Sequence, residues 1–335
     1  MPELRFNVIT KDWVIIARER AKRPDQFALP KKEELPLPQF DPSCPFCPGN
    51  ESHTEPEIAR LGDNKGWRVR VMPNKYPALS PHGERTRSNE GMRISMNGVG
   101  LHEVIVDHRQ HDMVFALMPP PDIEAVLRMY RQRYEECRKD ERLEAIIIFK
   151  NHGESAGSSV IHTHSQLAAT PVVTFQTRMR LEDAIRFYDQ MGKCIFCQTM
   201  EEELSAKVRI LHESKHFIAF HPYAALSPFH TWIFPRRHTP SFELATDEEL
   251  VDLASTLKLL LARLYYGLND PPFNYTIRSI PSRDRNTEYY HWYLSIIPRV
   301  TKTAGFEMGS GMYINSALPE ESAEFLRSVQ IPNLA

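Results

Sequence analysis

The sequence lacks the features that would place it in a membrane or on a nucleic acid. No apolar run approaches the roughly 18 residues that a membrane span needs. The first residues, MPELRFNVITKDW, contain no apolar core of a signal peptide. A formal net charge of −2 over 335 residues gives no general electrostatic reason to bind nucleic acid or anionic lipid. We therefore expect a cytoplasmic protein without a nucleic-acid or membrane partner.

Glycine is scarcer than proline, with 14 residues against 26. This balance favours fixed, extended connections between structural elements. The remaining composition, 41% hydrophobic and 25% charged, is ordinary for a soluble globular chain. The length permits two domains, or one large domain, with an ample core.

Cysteine is also scarce, and four of the five cysteines form two Cys-x-x-Cys pairs, Cys44 with Cys47 and Cys194 with Cys197. Disulfides are disfavoured in a reducing cytoplasm. A thioredoxin-type redox pair would begin a helix after a buried strand, whereas both pairs lie in segments that resemble loops. Each pair offers two thiolates from one turn and needs two further ligands, as structural zinc sites do. We interpret the fifth, Cys137, as a helical packing residue.

The segment 151–166, NHGESAGSSVIHTHSQ, has the densest chemical pattern in the chain. His162, His164 and Gln166 are spaced by two, so in an extended segment they share one face. Two preceding glycines allow a tight loop whose amide hydrogens can approach a phosphate. Imidazoles and a carboxamide beside such a loop indicate phosphoryl or nucleotidyl transfer. The alternative is a surface strand with incidental histidines.

Apolar periodicity predicts the main elements elsewhere. Strands are expected at 13–17, 67–72, 104–106, 145–150, 217–220, 230–234, 273–279 and 290–297. Helices are expected at 122–140, 177–191 and 246–267.

The two halves of the chain follow the same order and indicate a divergent internal repeat. Each contains a cysteine pair, two strands, a histidine, a helix, a strand and a second histidine in a polar strand. Aligning His162 with His291 places Tyr293 opposite His164. A histidine that occurs in both copies is most simply a metal ligand, whereas His164 occurs in one copy and is free to react.

This comparison predicts two closed sites of two cysteines and two histidines, a type that is structural rather than catalytic. The ligands would be Cys44, Cys47, His111 and His162 in the first half, and Cys194, Cys197, His238 and His291 in the second. The assignment of His111 in the first half and of His238 in the second stays open. The rivals are His102 or His108 in the first and His221 or His230 in the second.

The chain resembles the galactose-1-phosphate uridylyltransferase family of the histidine-triad superfamily over nearly its whole length. The family pattern N-x-G-x-x-x-G-x-S-x-x-H-P-H-x-Q fits from Asn151 to Gln166, with Thr163 in place of proline. Further matches are RAKRP at 20–24, PNKYPAL at 73–79 and GFE at 305–307. The His-Thr-His-Ser-Gln form and the two cysteine pairs look closest to a branch with plant-type ADP-glucose phosphorylases and short bacterial uridylyltransferases.

The resemblance implies an α+β fold of two histidine-triad-like domains, each a mainly antiparallel sheet with packed helices. The catalytic domain would span 1–175 and a degenerate copy would span 176–335. We expect Zn²⁺ in both, two ions per chain, and a homodimer.

The resemblance also implies roles for single residues. His164 would attack the α-phosphorus of a nucleotide sugar, expel the sugar 1-phosphate and hold the nucleotide until a second phosphate acceptor takes it. The backbone carbonyl of His162 is a plausible acceptor for its ring hydrogen, and Gln166 would stabilise phosphoryl charge. The remaining predicted residues would contact substrate: Arg20 and Arg23 at phosphate, Asn74 at ribose or base, Asn151, Gly153, Gly157 and Ser159 at the diphosphate, and Glu307 at the sugar. Phe306 replaces a tyrosine of some members.

These inferences favour UDP-glucose–hexose-1-phosphate uridylyl transfer, a reaction of galactose metabolism. Because of Thr163, an ADP-glucose phosphorylase with phosphate as acceptor is the first alternative. A histidine-triad hydrolase would instead release the nucleotide to water. The remaining alternative, a zinc-stabilised nucleic-acid-binding module, fits poorly with a near-neutral charge.

Overall fold

The computed structural model describes residues 1–17, 23–30, 36–63, 66–284 and 287–332. In chain order its strands are β1 (Glu3–Phe6), β2 (Trp13–Ile16), β3 (Ala59–Asp63), β4 (Gly66–Pro73), β5 (Arg87–Glu90), β6 (Arg93–Met96), β7 (Leu101–Val106), β8 (Ala145–His152), β9 (His164–Thr170), β10 (Ile210–Glu213), β11 (Phe217–Phe220), β12 (Thr231–Pro235), β13 (Phe273–Arg278), β14 (Tyr293–Pro298) and β15 (Tyr313–Asn315). The α-helices within these ranges are α1 (Pro120–Cys137), α2 (Phe175–Met191), α3 (Ile195–Ala206), α4 (Asp247–Leu268), α5 (Gly305–Ser310) and α6 (Pro319–Ser328). The predicted α+β class is confirmed.

A ten-stranded sheet unites the two halves, in the order β10-β11-β12-β14-β13-β8-β9-β7-β4-β3. Each half contributes five neighbouring strands, and every pairing in this sheet is antiparallel. The halves meet where β8 pairs with β13. The order of strands in one half is therefore the mirror of the order in the other.

The strand registers relate the two halves residue by residue. Phe149 pairs with Gln166, and Thr276 pairs with Ser295. Because Gln166 and Ser295 both lie four residues after the aligned histidines, Phe149 and Thr276 occupy equivalent positions. These two residues also pair directly with each other across the junction. The repeat is thus related by an approximate two-fold axis between β8 and β13.

The long helices α1 and α4 pack against each other on one face of the sheet. Helix α1 begins at Pro120, where proline's fixed φ suits the first turn. Helix α4 begins with a capping box in which Thr246 and Glu249 satisfy each other's backbone amides. A single apolar core beneath the helices includes strand residues from both halves, such as Leu167 and Leu294. The halves therefore share their main core as well as their sheet.

Two smaller sheets complete the described structure. In the first, β1, β2 and β15 bring together distant parts of the chain, because Val14 lies beside Tyr313 in a parallel pairing. In the second, β5 and β6 form an exposed hairpin.

Every strand and helix predicted from periodicity is present, with ends within three residues of the prediction. One interpretation is wrong. The second cysteine pair does not lie in a loop, because α3 begins directly after Cys194 and includes Cys197. Among the described residues, no helix combines the length and the apolar character needed to cross a bilayer.

Candidate active site and metal clusters

The first cysteine pair lies beside two histidines, His111 and His162. The Nδ1 atom of His162 is 3.6 Å from the sulfurs of both Cys44 and Cys47. The Nδ1 atom of His111 is 3.6 Å from the sulfur of Cys47. All four side chains are buried, and their ligand atoms lie within 4.8 Å of one another. The other ring nitrogen of His162 donates to the backbone carbonyl of His108 at 2.7 Å, which leaves Nδ1 free to bind a metal.

The second cysteine pair is surrounded in the same way. The sulfur of Cys197 is 3.3 Å from Nδ1 of His238 and 3.5 Å from Nδ1 of His291. With Cys194 these groups form the second cluster, again with all ligand atoms within 4.8 Å. The structure therefore assembles both predicted ligand sets.

Both clusters fit the geometry of zinc. Tetrahedral bonds of about 2.3 Å to sulfur and 2.0–2.1 Å to nitrogen separate the two kinds of ligand atom by about 3.6 Å. The measured sulfur–nitrogen distances of 3.3 to 3.6 Å agree with this separation. Two possible metal sites compatible with zinc are thus present.

The rival histidines have other partners within the described ranges. His102 contacts Gln166, and His108 contributes its backbone carbonyl to the first cluster's surroundings. His221 donates through Nδ1 to the carbonyl of His230 at 2.9 Å. The Nε2 atom of His230 lies 2.9 Å from the hydroxyl of Ser295. None of the four belongs to either cluster.

His164, the first residue of β9, is held in one tautomer. Its Nδ1 atom lies 2.9 Å from the backbone carbonyl of His162. A carbonyl can only accept, so Nδ1 carries the hydrogen and Nε2 presents a lone pair. Burial lowers the pKa of His164, which keeps the ring neutral near pH 7. The His162 carbonyl is therefore the acceptor that the sequence suggested.

Gln166 is oriented by His102, which the sequence suggests only as a rival metal ligand. The backbone N–H of Ala78 donates to Nδ1 of His102 at 3.1 Å, so the hydrogen of the neutral ring is on Nε2. That Nε2–H donates to the side-chain oxygen of Gln166 at 2.8 Å. Asn74 approaches the same oxygen at 3.5 Å. The amide hydrogens of Gln166 are thereby left to face a substrate oxygen.

Asn151 and the glycine loop are tied to the second half. Gly153 has φ +82°, and a Cβ there would lie 2.9 Å from a carbon of Pro272. Asn274 donates to the side-chain oxygen of Asn151 and to the backbone carbonyl of Ala156, both at 2.8 Å. Gly157, with φ +92°, ends the same turn. The loop's shape therefore depends on two close contacts across the β8–β13 junction.

Of the other predicted substrate contacts, Arg20 lies outside the described residues. Arg23 is exposed before a short 3₁₀ helix, Pro24–Phe27. Ser159 is exposed in the glycine loop. Glu307 accepts a hydrogen bond from the backbone N–H of Ala304 at 2.9 Å. Among the described residues, these side chains form no hydrogen bond to His164 or Gln166, and their substrate roles stay predictions.

A buried ion pair lies on the helix-facing side of the sheet, where β8 contributes Lys150. The ammonium of Lys150 is 2.6 Å from the carboxylate of Asp107, and both side chains are almost wholly inaccessible. The sequence patterns described above do not predict this pair. The available signal was a lysine at the end of the apolar run Ala145–Phe149.

The chain matches two family models that together cover nearly all of it. Residues 1–174 match "Galactose-1-phosphate uridyl transferase, N-terminal domain", and residues 180–331 match the corresponding C-terminal domain. An ADP-glucose phosphorylase of Arabidopsis thaliana is 37% identical over 98% of this chain and 93% of its own length. A galactose-1-phosphate uridylyltransferase of Thermotoga maritima is 27% identical over 99% of both chains.

Solved structures give the same relationship. The crystal structure of an ADP-glucose phosphorylase from Arabidopsis thaliana with bound ADP-glucose has a TM-score of 0.84 and 35% identity, covering 99% of this chain and 100% of that one. A uridylyltransferase structure has a TM-score of 0.75 and 26% identity, covering 98% of each chain. Together with the two family models, these similarities establish that the chain belongs to the galactose-1-phosphate uridylyltransferase family of nucleotidyltransferases.

Proposed function

We propose that the protein transfers a nucleoside monophosphate from a nucleotide sugar to a phosphate acceptor through a covalent adduct on His164. The hydrogen bond from its Nδ1 to the His162 carbonyl is the main support, because it makes Nε2 the nucleophilic atom. Asn151 lies two residues beyond Phe149, which pairs with Gln166. By strand alternation, the imidazole of His164 and the carboxamides of Gln166 and Asn151 therefore share one face of the sheet.

We further propose ADP-glucose as the donor and inorganic phosphate as the acceptor. The support is the greater similarity to the ADP-glucose phosphorylase of Arabidopsis thaliana, at 37% identity against 27–28% for the uridylyltransferases of Thermotoga maritima and Haemophilus influenzae. This similarity reverses the order in which the sequence analysis placed the two reactions. Thr163 in the family's proline position is consistent with the change.

The proposed reaction has two displacement steps. In the first, Nε2 of His164 bonds to the α-phosphorus, the bond from phosphorus to the bridging oxygen breaks, and glucose 1-phosphate leaves. In the second, a phosphate oxygen bonds to the same phosphorus, the phosphorus–nitrogen bond breaks, and ADP leaves. The adduct gives the imidazole a positive charge, which strengthens the Nδ1–H bond to the His162 carbonyl. The amide of Gln166 donates to the phosphoryl oxygens in both steps.

Uridylyl transfer between UDP-glucose and a hexose 1-phosphate is the second candidate. The family models that match both halves of the chain, and most of the relatives named above, are uridylyltransferases by name. The two candidates share the His164 adduct and differ in the base and the acceptor. A hydrolase is a third outcome, in which water takes the nucleotide.

We assign one zinc ion to each Cys/His cluster, giving two per chain. Zinc in a closed four-ligand site supplies structural cross-linking rather than reaction chemistry. We assign the nucleophile and the first zinc ion to a domain of residues 1–175. A degenerate domain of residues 176–335 would contain the second ion. A homodimer stays a prediction that sedimentation analysis can test.

The deciding experiment incubates the protein with ADP-glucose or UDP-glucose labelled in the α-phosphate. We expect an acid-labile adduct with ADP-glucose, lost in His164→Gly. Inorganic phosphate should then convert the adduct to ADP. Labelled UDP-glucose giving the adduct, with exchange into hexose 1-phosphate, would favour the uridylyltransferase. Release of AMP or UMP without an acceptor would identify a hydrolase, and no adduct with either donor would contradict the covalent mechanism.

A further inference from the structure

We propose that Lys150, Asp107 and Thr163 form a buried positioning network that holds His164 in its reactive orientation. In this network the Thr163 hydroxyl restrains the segment that proline restrains in the family pattern. The inference rests on the proposed function, because it concerns how the nucleophile is presented. None of the three side chains is placed at the reacting atoms, so they are positioning residues.

The ammonium of Lys150 is fully satisfied by groups on two neighbouring segments. It donates to a carboxylate oxygen of Asp107 at 2.6 Å, to the hydroxyl of Thr163 at 2.8 Å and to the backbone carbonyl of His164 at 2.9 Å. An ammonium has three hydrogens, and each has one acceptor here. One buried cation therefore contacts two successive residues of the nucleophile segment.

Asp107 extends the network to the residues on either side. Its carboxylate accepts from the hydroxyl of Ser165 at 3.0 Å. Its backbone N–H donates to the carbonyl of Thr163 at 3.1 Å. Tyr130 of α1 donates to the Ser165 hydroxyl as well. Residues 163 to 165 are thus anchored from below the sheet, through side chains and backbone together.

The second copy of the fold replaces this network with apolar side chains. Lys150 is opposite Ser165 by extension of the β8–β9 register, and the equivalent pair in the second half is Ile277 opposite Leu294. Extending the β7–β9 and β12–β14 registers places Asp107 opposite Thr163 and Pro235 opposite Trp292, so Asp107 is equivalent to Pro235. Thr163 is equivalent to Trp292, and these replacements are all buried.

The fold itself therefore does not require the ion pair. Removing two charges from water costs several kcal/mol for each ion, and apolar replacements of similar volume are often more stable. The network is present only in the copy that contains His164, directly beneath that residue. This distribution favours a role in presenting the nucleophile over a role in stabilising the sheet.

The geometry also shows how the network acts on His164. The orientation of its ring depends on the His162 carbonyl, which accepts from Nδ1. The first Cys/His cluster contacts the ring of His162, on one side of that bond, and Lys150 fixes the backbone at His164 itself. Thr163 connects the two anchors. Without its hydroxyl, the peptide groups between the histidines would lose one of their restraints, and the ring would sample orientations that do not face the α-phosphorus.

The test compares Thr163→Val, which removes the hydroxyl at nearly constant shape, with Thr163→Ser, which retains it. Single-turnover formation of the His164 adduct should slow about tenfold or more in the valine variant and stay within about twofold of wild type in the serine variant. The KM for the nucleotide sugar and the zinc content should change little. A matched control, Thr231→Val, removes a buried hydroxyl in the second half and should leave the adduct rate unchanged.

A second measurement is independent of turnover. Nitrogen-15 NMR of the labelled histidines should show His164 with hydrogen on Nδ1 in the wild type and a mixture of tautomers or exchange broadening in Thr163→Val. Adduct formation at the wild-type rate in the valine variant, or equal loss in the serine variant, would overturn the proposal. If wild type forms no adduct, the proposed function fails, whereas an unchanged His164 spectrum in the valine variant contradicts the positioning role itself.

Discussion

Asn274 donates a 2.8 Å hydrogen bond to the side-chain oxygen of Asn151. It lies on β13, the strand of the second half that pairs with β8. The same amide group donates to the backbone carbonyl of Ala156 in the glycine loop at 2.8 Å. One residue of the second half thus orients Asn151 and the glycine loop of the half that contains His164. The second half is therefore a structural part of the candidate site.

Substitution of Asn274 should weaken substrate binding more than chemistry. Asn274→Ala frees the Asn151 carboxamide to rotate and loosens the loop, so we expect the KM for the nucleotide sugar to rise about tenfold. The expected change in kcat is smaller, and steady-state kinetics separates the two. Thr276→Val, two residues further on the same face of β13, is the matched control and should resemble wild type. A drop in kcat at constant KM would contradict this role.

Substitution of His102 should have the opposite kinetic signature. His102→Phe removes the donor that fixes the oxygen of Gln166, so the carboxamide can turn its oxygen toward the phosphoryl group. We expect kcat to fall about tenfold, because the lost interaction forms mainly in the transition state. His102→Gln places an amide hydrogen near the same oxygen and should restore part of the rate. Equal rates for both variants would show that Gln166 needs no such donor.

Two buried histidines of the second half should make the fold sensitive to mild acid. Burial lowers the pKa of His221 to about 4 and of His230 to about 3, from 6.5. Below pH 6.5 the unfolded chain takes up protons that the folded chain cannot, so the free energy of unfolding rises with pH between about 4 and 6.5. Each group should therefore cost about 1.4 kcal/mol of stability per pH unit as the pH falls through this range.

Urea denaturation at pH 7.5 and pH 5.0 measures this effect. In His230→Gln the difference between the two pH values should shrink by about 2 kcal/mol, because one of the two titrations is removed. The comparison with wild type cancels acid effects at the two Cys/His clusters. An identical pH dependence in the two proteins would show that His230 takes up a proton as readily in the folded chain as in the unfolded chain.

The two Cys/His clusters offer a matched pair of substitutions. Cys44→Ser and Cys194→Ser should each lower the zinc content from about two ions per chain to about one, since loss of a thiolate greatly weakens a closed site. The first should also slow adduct formation strongly, because His162 connects its cluster to His164. Cys194→Ser should slow adduct formation less. Mass spectrometry for metals and the adduct assay distinguish the two variants, and equal loss of the rate would contradict the division.

The sequence predicts which residues form the two Cys/His clusters because the repeat supplies an internal comparison. A histidine that recurs beside each cysteine pair is identifiable without any knowledge of distance. The same comparison separates His164 from His162. Helix α3 is not predicted because a Cys-x-x-Cys pair is typical of a turn, whereas here its first cysteine is the residue that precedes the helix.

Lys150 and Asn274 could not be predicted for a different reason. Each acts through a pairing whose register is not visible in the chain itself. A lysine that follows an apolar run is typical of a strand end in solvent, and only the pairing of β8 with β9 places it under Thr163. Asn274 becomes relevant only through the pairing between halves. Local patterns thus predict the elements, whereas long-range pairing decides which polar residues meet.

The pairing of Phe149 with its own equivalent, Thr276, has the form of a self-complementary dimer contact enclosed in one polypeptide. Two identical chains joined through such a contact must change together, so every mutation that removes a nucleophile removes both. Covalent fusion breaks that constraint. The two copies can then hold different residues at equivalent positions, as they do at His164 and Tyr293. The asymmetry of this protein is therefore one that a dimer of identical chains cannot have.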